Sequence, residues 1–289
     1  MINCFFSCVK CFRPVNGTSI KTPWSGCPNQ KGVKNRDEKD KIRSLIISIK
    51  NWTYSIDEYL KIPERNMNIT PEAVVFSPSS IALILHELLG HRLESDDFHL
   101  LPNWKKKGKM HYRVMDYPGL PRTTGYTPFG DDGIKGKRVT LFDSKSLKSS
   151  FLTKNTGNLR AISEKFHPIV RQRNLVTKIL DRNSQYHEPK LENKSYLYVN
   201  KISEGIIEFK SNSKLKPNCK FIVQESTFTN RKGEKIRLPP FEFTFLEEDL
   251  LKLKLFGKPE VFIPGGGCHK GYQRGLSISF NCHSGWLKM

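Results

Sequence analysis

The string Leu85-His86-Glu87-Leu88-Leu89-Gly90-His91 sits at the end of a stretch, beginning at Ile81, that is apolar on nearly every side of a helix. No other feature narrows the fold as much. A helix with no polar face has to be buried, and ionisable groups inside it are costly unless something pairs with them. The helix also has legible bounds: Ser77 is a natural N-cap, Pro78 suits the first helical position, and Gly90 is a stop.

Paired histidines on a metal-binding helix usually stand four residues apart, as in H-E-x-x-H. Four residues turn the chain by about 400° and leave the imidazoles within about 40° of each other. Here the spacing is five, a turn of about 500°, so on a regular helix His86 and His91 would diverge by about 140°. Either they are ordinary satisfied histidines or the helix breaks. Gly90 can supply the break, by taking φ > 0 or by starting a π-type bulge that swings His91 back toward His86. The spacing predicts a helix regular from Pro78 to about Leu89, and the burial favours a metal over two idle imidazoles.

Composition excludes several classes of function. The 289 residues suggest two domains, or one larger domain with an extension. Lys and Arg number 48 against 28 Asp and Glu, a net charge of +20, which draws anionic partners but says nothing about fold. The densest basic run, Lys105 to Lys109, reads as a solvated loop, and no zinc-finger spacing, RNA-binding aromatic signature or helix-turn-helix accompanies it, so nucleic acid is disfavoured as a partner. No apolar run approaches about 18 residues and no secretory signal opens the chain, so no membrane partner and a cytoplasmic location are expected. Seven cysteines, an odd number, do not suit a secreted disulfide framework. Cys4, Cys8 and Cys11 have the C-x3-C-x2-C spacing of radical iron–sulfur enzymes, but no strand can precede them, so they read as part of a tail.

The organisation follows from these signals. Residues 1–40 read as a Cys-rich basic tail, poorly ordered. Residues 41–76 hold an amphipathic helix, Lys41 to Leu60, and a short strand, Ala73 to Phe76. Residues 77–289 open with the buried helix and continue in short β-rich runs: Val139 to Phe142, Ser195 to Val199, Gly205 to Phe209, Lys220 to Gln224, Phe241 to Phe245, Val261 to Ile263 and Leu276 to Phe280. One further helix is predicted at Glu247 to Leu255. The fold class is α+β: a buried metal-binding helix followed by a mostly antiparallel β domain.

The residues carry a resemblance. His86-Glu87-Leu88-Leu89-Gly90-His91-Arg92-Leu93-Glu94 resembles the H-E-x-x-G-H-x-L-E segment of the TldD/PmbA family of zinc metallopeptidases. Asp116-Tyr117-Pro118-Gly119 and Asp131-Asp132-Gly133-Ile134 are similar to its D-x-P and D-D-E-G-V segments, without the Glu. Thr156-Gly157-Asn158-Leu159-Arg160 and Pro168-Ile169-Val170-Arg171-Gln172-Arg173-Asn174 resemble T-G-x-x-R and P-x-x-R-x-x-N. Gly267-Cys268-His269-Lys270-Gly271-Tyr272-Gln273 is similar to G-x-C-x-K-x-G-Q. The resemblance covers roughly residues 71 to 289, with the long α/β N-terminal region usual in the family replaced by a shorter one.

The resemblance implies that His86, His91 and Cys268 are Zn²⁺ ligands. Without it, Cys268 reads as a small residue of the glycine loop Gly265-Gly266-Gly267. Two imidazoles and a thiolate leave a fourth tetrahedral position for water, as in a catalytic zinc site. The expected activity is zinc-dependent hydrolysis of peptide bonds in unfolded or extended peptides, with Glu87 as general base. Glu94 is a candidate to orient a ligand imidazole, and Arg160, Arg171 and Asn174 are candidates to hold substrate. The resemblance also implies a homodimer, or a heterodimer with a zinc-less relative. The rival reading is a catalytically silent peptide-binding or partner subunit that keeps zinc as a structural element.

Overall fold

The computed structural model describes residues 6–12, 20–26, 57–95, 112–120, 123–161, 163–180, 188–208, 218–262, 268–270, 273–276 and 278–289. The chain divides into two units, Met1–Glu64 and Arg65–Met289. In the first, β1 (Phe6–Phe12) and β2 (Ile20–Gly26) pair antiparallel, where a loose tail is expected. Of the predicted helix at Lys41 to Leu60, the described portion shows a helical turn, α1 (57–61). Cys4, Cys27, the basic run Lys105 to Lys109 and the loop Gly265 to Gly267 lie outside the described residues.

The second unit is built on apolar runs that form a ten-stranded mixed sheet. Its strands are β3 (Ala73–Phe76), β4 (Tyr112–Asp116), β5 (Val139–Asp143), β8 (Asn174–Ile179), β9 (Tyr196–Glu208), β10 (Asn218–Thr229), β11 (Lys235–Leu238), β12 (Phe241–Leu246), β13 (Lys254–Phe262) and β16 (Ser279–Lys288). They lie in the order β11-β10-β9-β3-β16-β8-β4-β5, with β12 also pairing β10 and β13 also pairing β16. Two small ribbons complete the unit: β6 (Leu159–Arg160) with β7 (Ile169–Val170), and β14 (Cys268–Lys270) with β15 (Gln273–Leu276).

Most pairings are antiparallel, as expected. The exceptions are β3 with β9 and β16 with β8, each joining strands about 100 or more residues apart in the chain. Parallel neighbours need a long crossover, which a reading of local runs does not reveal. The sequence reading also splits β9 into two strands. It is one strand of 13 residues, and the break falls where its pairing with β10 slips through successive bulges between Ile222 and Ser226.

The predicted helix at Glu247 to Leu255 is a correction. Only Glu247–Leu251 turns, as a 3₁₀ segment, and β13 starts at Lys254. Asp249 folds its carboxylate back onto the Leu246 N–H at 3.0 Å and closes the turn. Beyond it Leu253 and Leu255 are buried while Lys254 lies over the Trp286 ring at 4.7 Å. That is the alternation of a strand with one face in the core.

The core gathers between this sheet and helix α2 (Pro78–Leu85), which packs against β16, β9 and β13. Ile81, Ala82, Ile84 and Leu85 are fully buried, among Phe76, Phe221, Phe245 and Phe280. Ser77 caps the helix by accepting the Ser80 N–H at 3.2 Å, a bond worth about 1 kcal/mol. Its hydroxyl also donates to the Asn200 carbonyl of β9 at 2.6 Å, so the cap fixes the helix start to the sheet. No helix of the described residues is long and apolar enough to cross a membrane.

Candidate metal centre

The helix is regular only as far as Leu85. From His86 to Gly90 the chain makes a π turn, in which the His91 N–H donates to the His86 carbonyl five residues back. A 3₁₀ turn, His91–Leu93, follows. A π turn holds one more residue than an α turn, so two residues five apart fall on the same side. The about 140° divergence of a regular helix is removed, and the rings of His86 and His91 meet edge to face with centroids 4.5 Å apart.

Gly90 itself keeps ordinary right-handed angles, φ −59° and ψ −70°, so the bulge starts at His86 and needs no left-handed residue. Glycine is required there for another reason. A Cβ on Gly90 would stand 2.6 Å from Cδ of Gln172, whose side-chain amide fills the space. Gly90→Ala is therefore expected to cost about 1–3 kcal/mol by overpacking and to lower metal content, read by thermal melting and by metal analysis of the purified variant. An alanine variant as stable and as metal-rich as wild type would show that Gln172 yields freely.

The turn brings His86 and His91 to Cys268, on β14. One ligand atom from each lies within 4.8 Å of the others. Cys268 is a free, buried thiol whose Sγ is 3.2 Å from His91 Nε2. The residues fit a metal on their own chemistry. Two imidazoles and a thiol converge in a largely buried place, and among the described residues the Nδ1 of His86 has no hydrogen-bond partner. Such a donor set suits zinc.

Glu94, fully buried, ties the pieces together. Its Oε2 meets His91 Nδ1 at 3.1 Å and Lys270 Nζ at 2.9 Å, and its Oε1 accepts the Gln172 N–H at 2.9 Å. One carboxylate thus touches the helix, the loop after β7 and the strand that carries Cys268. Burial alone would raise its pKa, but the facing His91, Lys270 and Arg171 hold it below the usual carboxylate range. Burial likewise opposes protonation of His91, yet the Glu94 charge and the bonds to Cys268 and Glu94 raise its pKa well above the ordinary value. His86 goes the other way: burial, then the charges of His91 and Arg171, push it down and keep it neutral. Glu87 is pushed up to about 7, chiefly by burial. Its side chain is accommodated because Gly205 on β9 has none: a Cβ there would stand 2.6 Å from Glu87 Cγ.

Of the remaining predicted site residues, Arg160 ends β6, Arg171 lies in the loop after β7 and Asn174 opens β8. Arg160 donates to the Gln172 carbonyl at 3.1 Å, and Asn174 donates to the Tyr117 carbonyl at 2.8 Å. Arg171 is fully buried, its Nε 3.9 Å from Glu94 Oε1 and its three guanidinium nitrogens without hydrogen bonds among the described residues. The segment Thr156 to Arg160 serves as a frame for this loop. The Asn158 carbonyl accepts the Arg171 N–H at 2.9 Å, and its side chain bridges Asp116 and the Arg171 carbonyl, each at 3.0 Å. Asp116 in turn accepts the Arg173 N–H at 2.7 Å. Gln172, whose amide lies 3.4 Å from His86 Nε2, is the residue that sequence reasoning passes over. It sits at an unspecified position between two arginines, and nothing local marks it.

Fold and site together define a protein with a mixed sheet against which a π turn and the ribbon β14 bring His86, His91 and Cys268 together. No family model matches the chain, and no curated protein matches it. Among solved structures it is similar to TldE from Thermococcus kodakarensis, at 14% identity and a TM-score of 0.51 over 78% of this chain and 50% of that one. It is also similar to a Thermotoga maritima protein described as a candidate modulator of a DNA gyrase, at 15% identity and a TM-score of 0.50 over 78% and 50%. These likenesses show the fold, the one that the resemblance to the TldD/PmbA family implies. The chain spans about half the length of the structures it matches.

Proposed function

We propose that the chain hydrolyses peptide bonds in extended or unfolded peptides at a zinc centre held by His86, His91 and Cys268. The convergence of these three donors beside Glu87 carries the reading. When bound, zinc polarises the scissile carbonyl and lowers the pKa of its water toward about 7. Glu87 is the general base. It neighbours a ligand without belonging to the donor set, and burial tunes its pKa to about 7, where it can both accept and return a proton at neutral pH. It takes the proton of the attacking water and delivers it to the leaving amine. His86 is held neutral with a donor nitrogen free, and Glu94 aligns His91, which gives up the proton on its ligating nitrogen when a metal binds.

Extended substrates fit a sheet with open edges. Among the described residues β5 ends the sheet, with its Asp143 N–H taken by the Lys148 carbonyl at 2.9 Å, and main-chain hydrogen bonds along the rest of such an edge would hold an extended segment. The net charge of +20 favours acidic or neutral peptides, and the working form is a dimer, with a second copy or with a relative lacking the donors.

Cleavage of an unstructured peptide by zinc-loaded wild type and Glu87→Gln tests the proposal, with metal content and light scattering measured on the same samples. The variant is expected to keep its zinc and lose about 10²–10⁴-fold in rate. A Gln variant of full activity would remove Glu87 from the chemistry. A wild type that binds the peptide and never cuts it would move the chain to the silent-subunit reading.

A further inference from the structure

Around the centre, His86 presents an asymmetry. Its Nδ1 is buried with no hydrogen-bond partner among the described residues, while Nε2 lies 3.4 Å from the side-chain nitrogen of Gln172. The Oε1 of Gln172 also lacks a partner there, so the amide can be turned over to bring its oxygen to the ring. In a metal-ligating histidine the nitrogen away from the ion nearly always meets an acceptor, which fixes the tautomer and the ring plane. His91 shows this arrangement, with Nδ1 on Glu94 and Nε2 toward Cys268. For His86 the same logic holds with the two nitrogens exchanged. A neutral imidazole carries one proton, so an acceptor at Nε2 leaves the lone pair on Nδ1. The two ends of a glutamine amide are nearly isosteric, and hydrogen bonding decides which end meets the ring.

Building on the metal reading above, we infer that Gln172 is a positioning residue: its amide oxygen accepts the Nε2–H of His86 and thereby offers Nδ1 to the metal. Gln172 is held for this task through its backbone. Its N–H donates to Glu94 Oε1 at 2.9 Å, so the carboxylate that aligns His91 also places the residue that aligns His86. Its carbonyl accepts from Arg160 at 3.1 Å. Its side chain is buried in the space that a Cβ on Gly90 would occupy. The Glu87 carboxylate also approaches His86 Nε2, but at 3.9 Å it stands beyond hydrogen-bond range and stays free for proton transfer. The glycine of the H-E-x-x-G-H string and the glutamine between two arginines are thus two halves of one contact.

Zinc affinity by chelator competition, with the visible spectrum of the cobalt-substituted protein, tests this without any assay of activity. Gln172→Leu keeps the bulk and removes the acceptor; it is expected to weaken zinc about 10–100-fold and to shift the cobalt bands. Gln172→Glu restores an acceptor and is expected to bind within a few-fold of wild type. A merely structural role would instead lower the melting temperature of the zinc-free protein equally in both. Unchanged affinity in Gln172→Leu, with zinc lost in His86→Ala, overturns the role of Gln172 and leaves the metal centre standing. A wild type that binds no zinc overturns both. Should Gln172→Leu fail to fold, ¹⁵N shifts of His86 in the zinc-free wild type decide: a protonated Nε2 supports the inference, a protonated Nδ1 overturns it.

Discussion

Purified protein is expected to carry about one zinc ion per chain, and His86→Ala, His91→Ala and Cys268→Ser each to lose most of it. The three donors lie within 4.8 Å of one another, and a ligand atom deleted from so small a set has no substitute of the same kind among the described residues. If a zinc site of this type is worth roughly 10–16 kcal/mol, each protein donor carries on the order of 3 kcal/mol or more, at least a hundredfold in affinity. Elemental analysis and competition with a chromogenic chelator measure the loss. Cys268→Ser is the most informative of the three, because Cys268 enters the donor set by resemblance and by geometry but by no local signal. Stoichiometric zinc in that variant would take the thiol out of the set. Wild-type protein that melts at the same temperature with and without chelator would speak against any bound metal.

Glu94→Ala is expected to be the most destabilising single change in the fold. It removes a fully buried carboxylate from Lys270, Arg171 and His91 and from the Gln172 N–H, leaving the buried Arg171 without this counter-charge. Breaking a buried pair from one side costs about 3–5 kcal/mol. The pH dependence in zinc-free protein follows from the two shifts. Glu94 has its folded pKa lowered, so its contribution is present above the unfolded value near 4.5 and is lost as pH falls through the lower folded value. His91 has its folded pKa raised, so its contribution is full below the unfolded value near 6.5 and is lost as pH rises through the higher folded value. Both are at full strength between about 4.5 and about 6.5. Denaturant titrations of zinc-free wild type and Glu94→Ala should differ most inside that window and converge as pH falls through the folded Glu94 value. The difference should narrow only in part as pH rises through the folded His91 value, because the contacts to Lys270 and Arg171 persist. A difference that does not vary with pH would mean that Glu94 acts by packing and not by charge.

Much of this was legible in the residues, and the parts that were not share a cause. Ser77 and Pro78 announce the helix start because capping and the proline constraint are local. The five-residue spacing of His86 and His91 demands an irregular turn, and the π turn at His86–Gly90 meets that demand. Its placement was less clear, since the requirement for Gly90 comes from Gln172, 82 positions on, and not from its own backbone angles. Arg160 and Asn174 look like substrate groups in sequence, and in the fold each gives one hydrogen bond to a backbone carbonyl, of Gln172 and of Tyr117. At Glu247 to Leu255 two local signals compete. The acidic start argues helix while Leu251, Leu253 and Leu255 alternate with lysines, and the sheet decides for alternation by taking every second side chain into the core. Parallel neighbours such as β3 and β9, and the gathering of three segments on Glu94, depend on contacts across the whole sheet.

The donors of the centre come from two ends of the unit, His91 and Cys268 being 177 residues apart. On the proposed zinc reading, a chain that has not yet placed Cys268 holds only the two histidines, from which a divalent ion exchanges quickly. Tight capture then waits for the β14–β15 ribbon to reach Glu94 and Val170, where Lys270 ties it down at 2.9 and 3.2 Å. Slow metal release would then report completed assembly. Following that release rate during refolding would time the last event of a topology dominated by distant pairings.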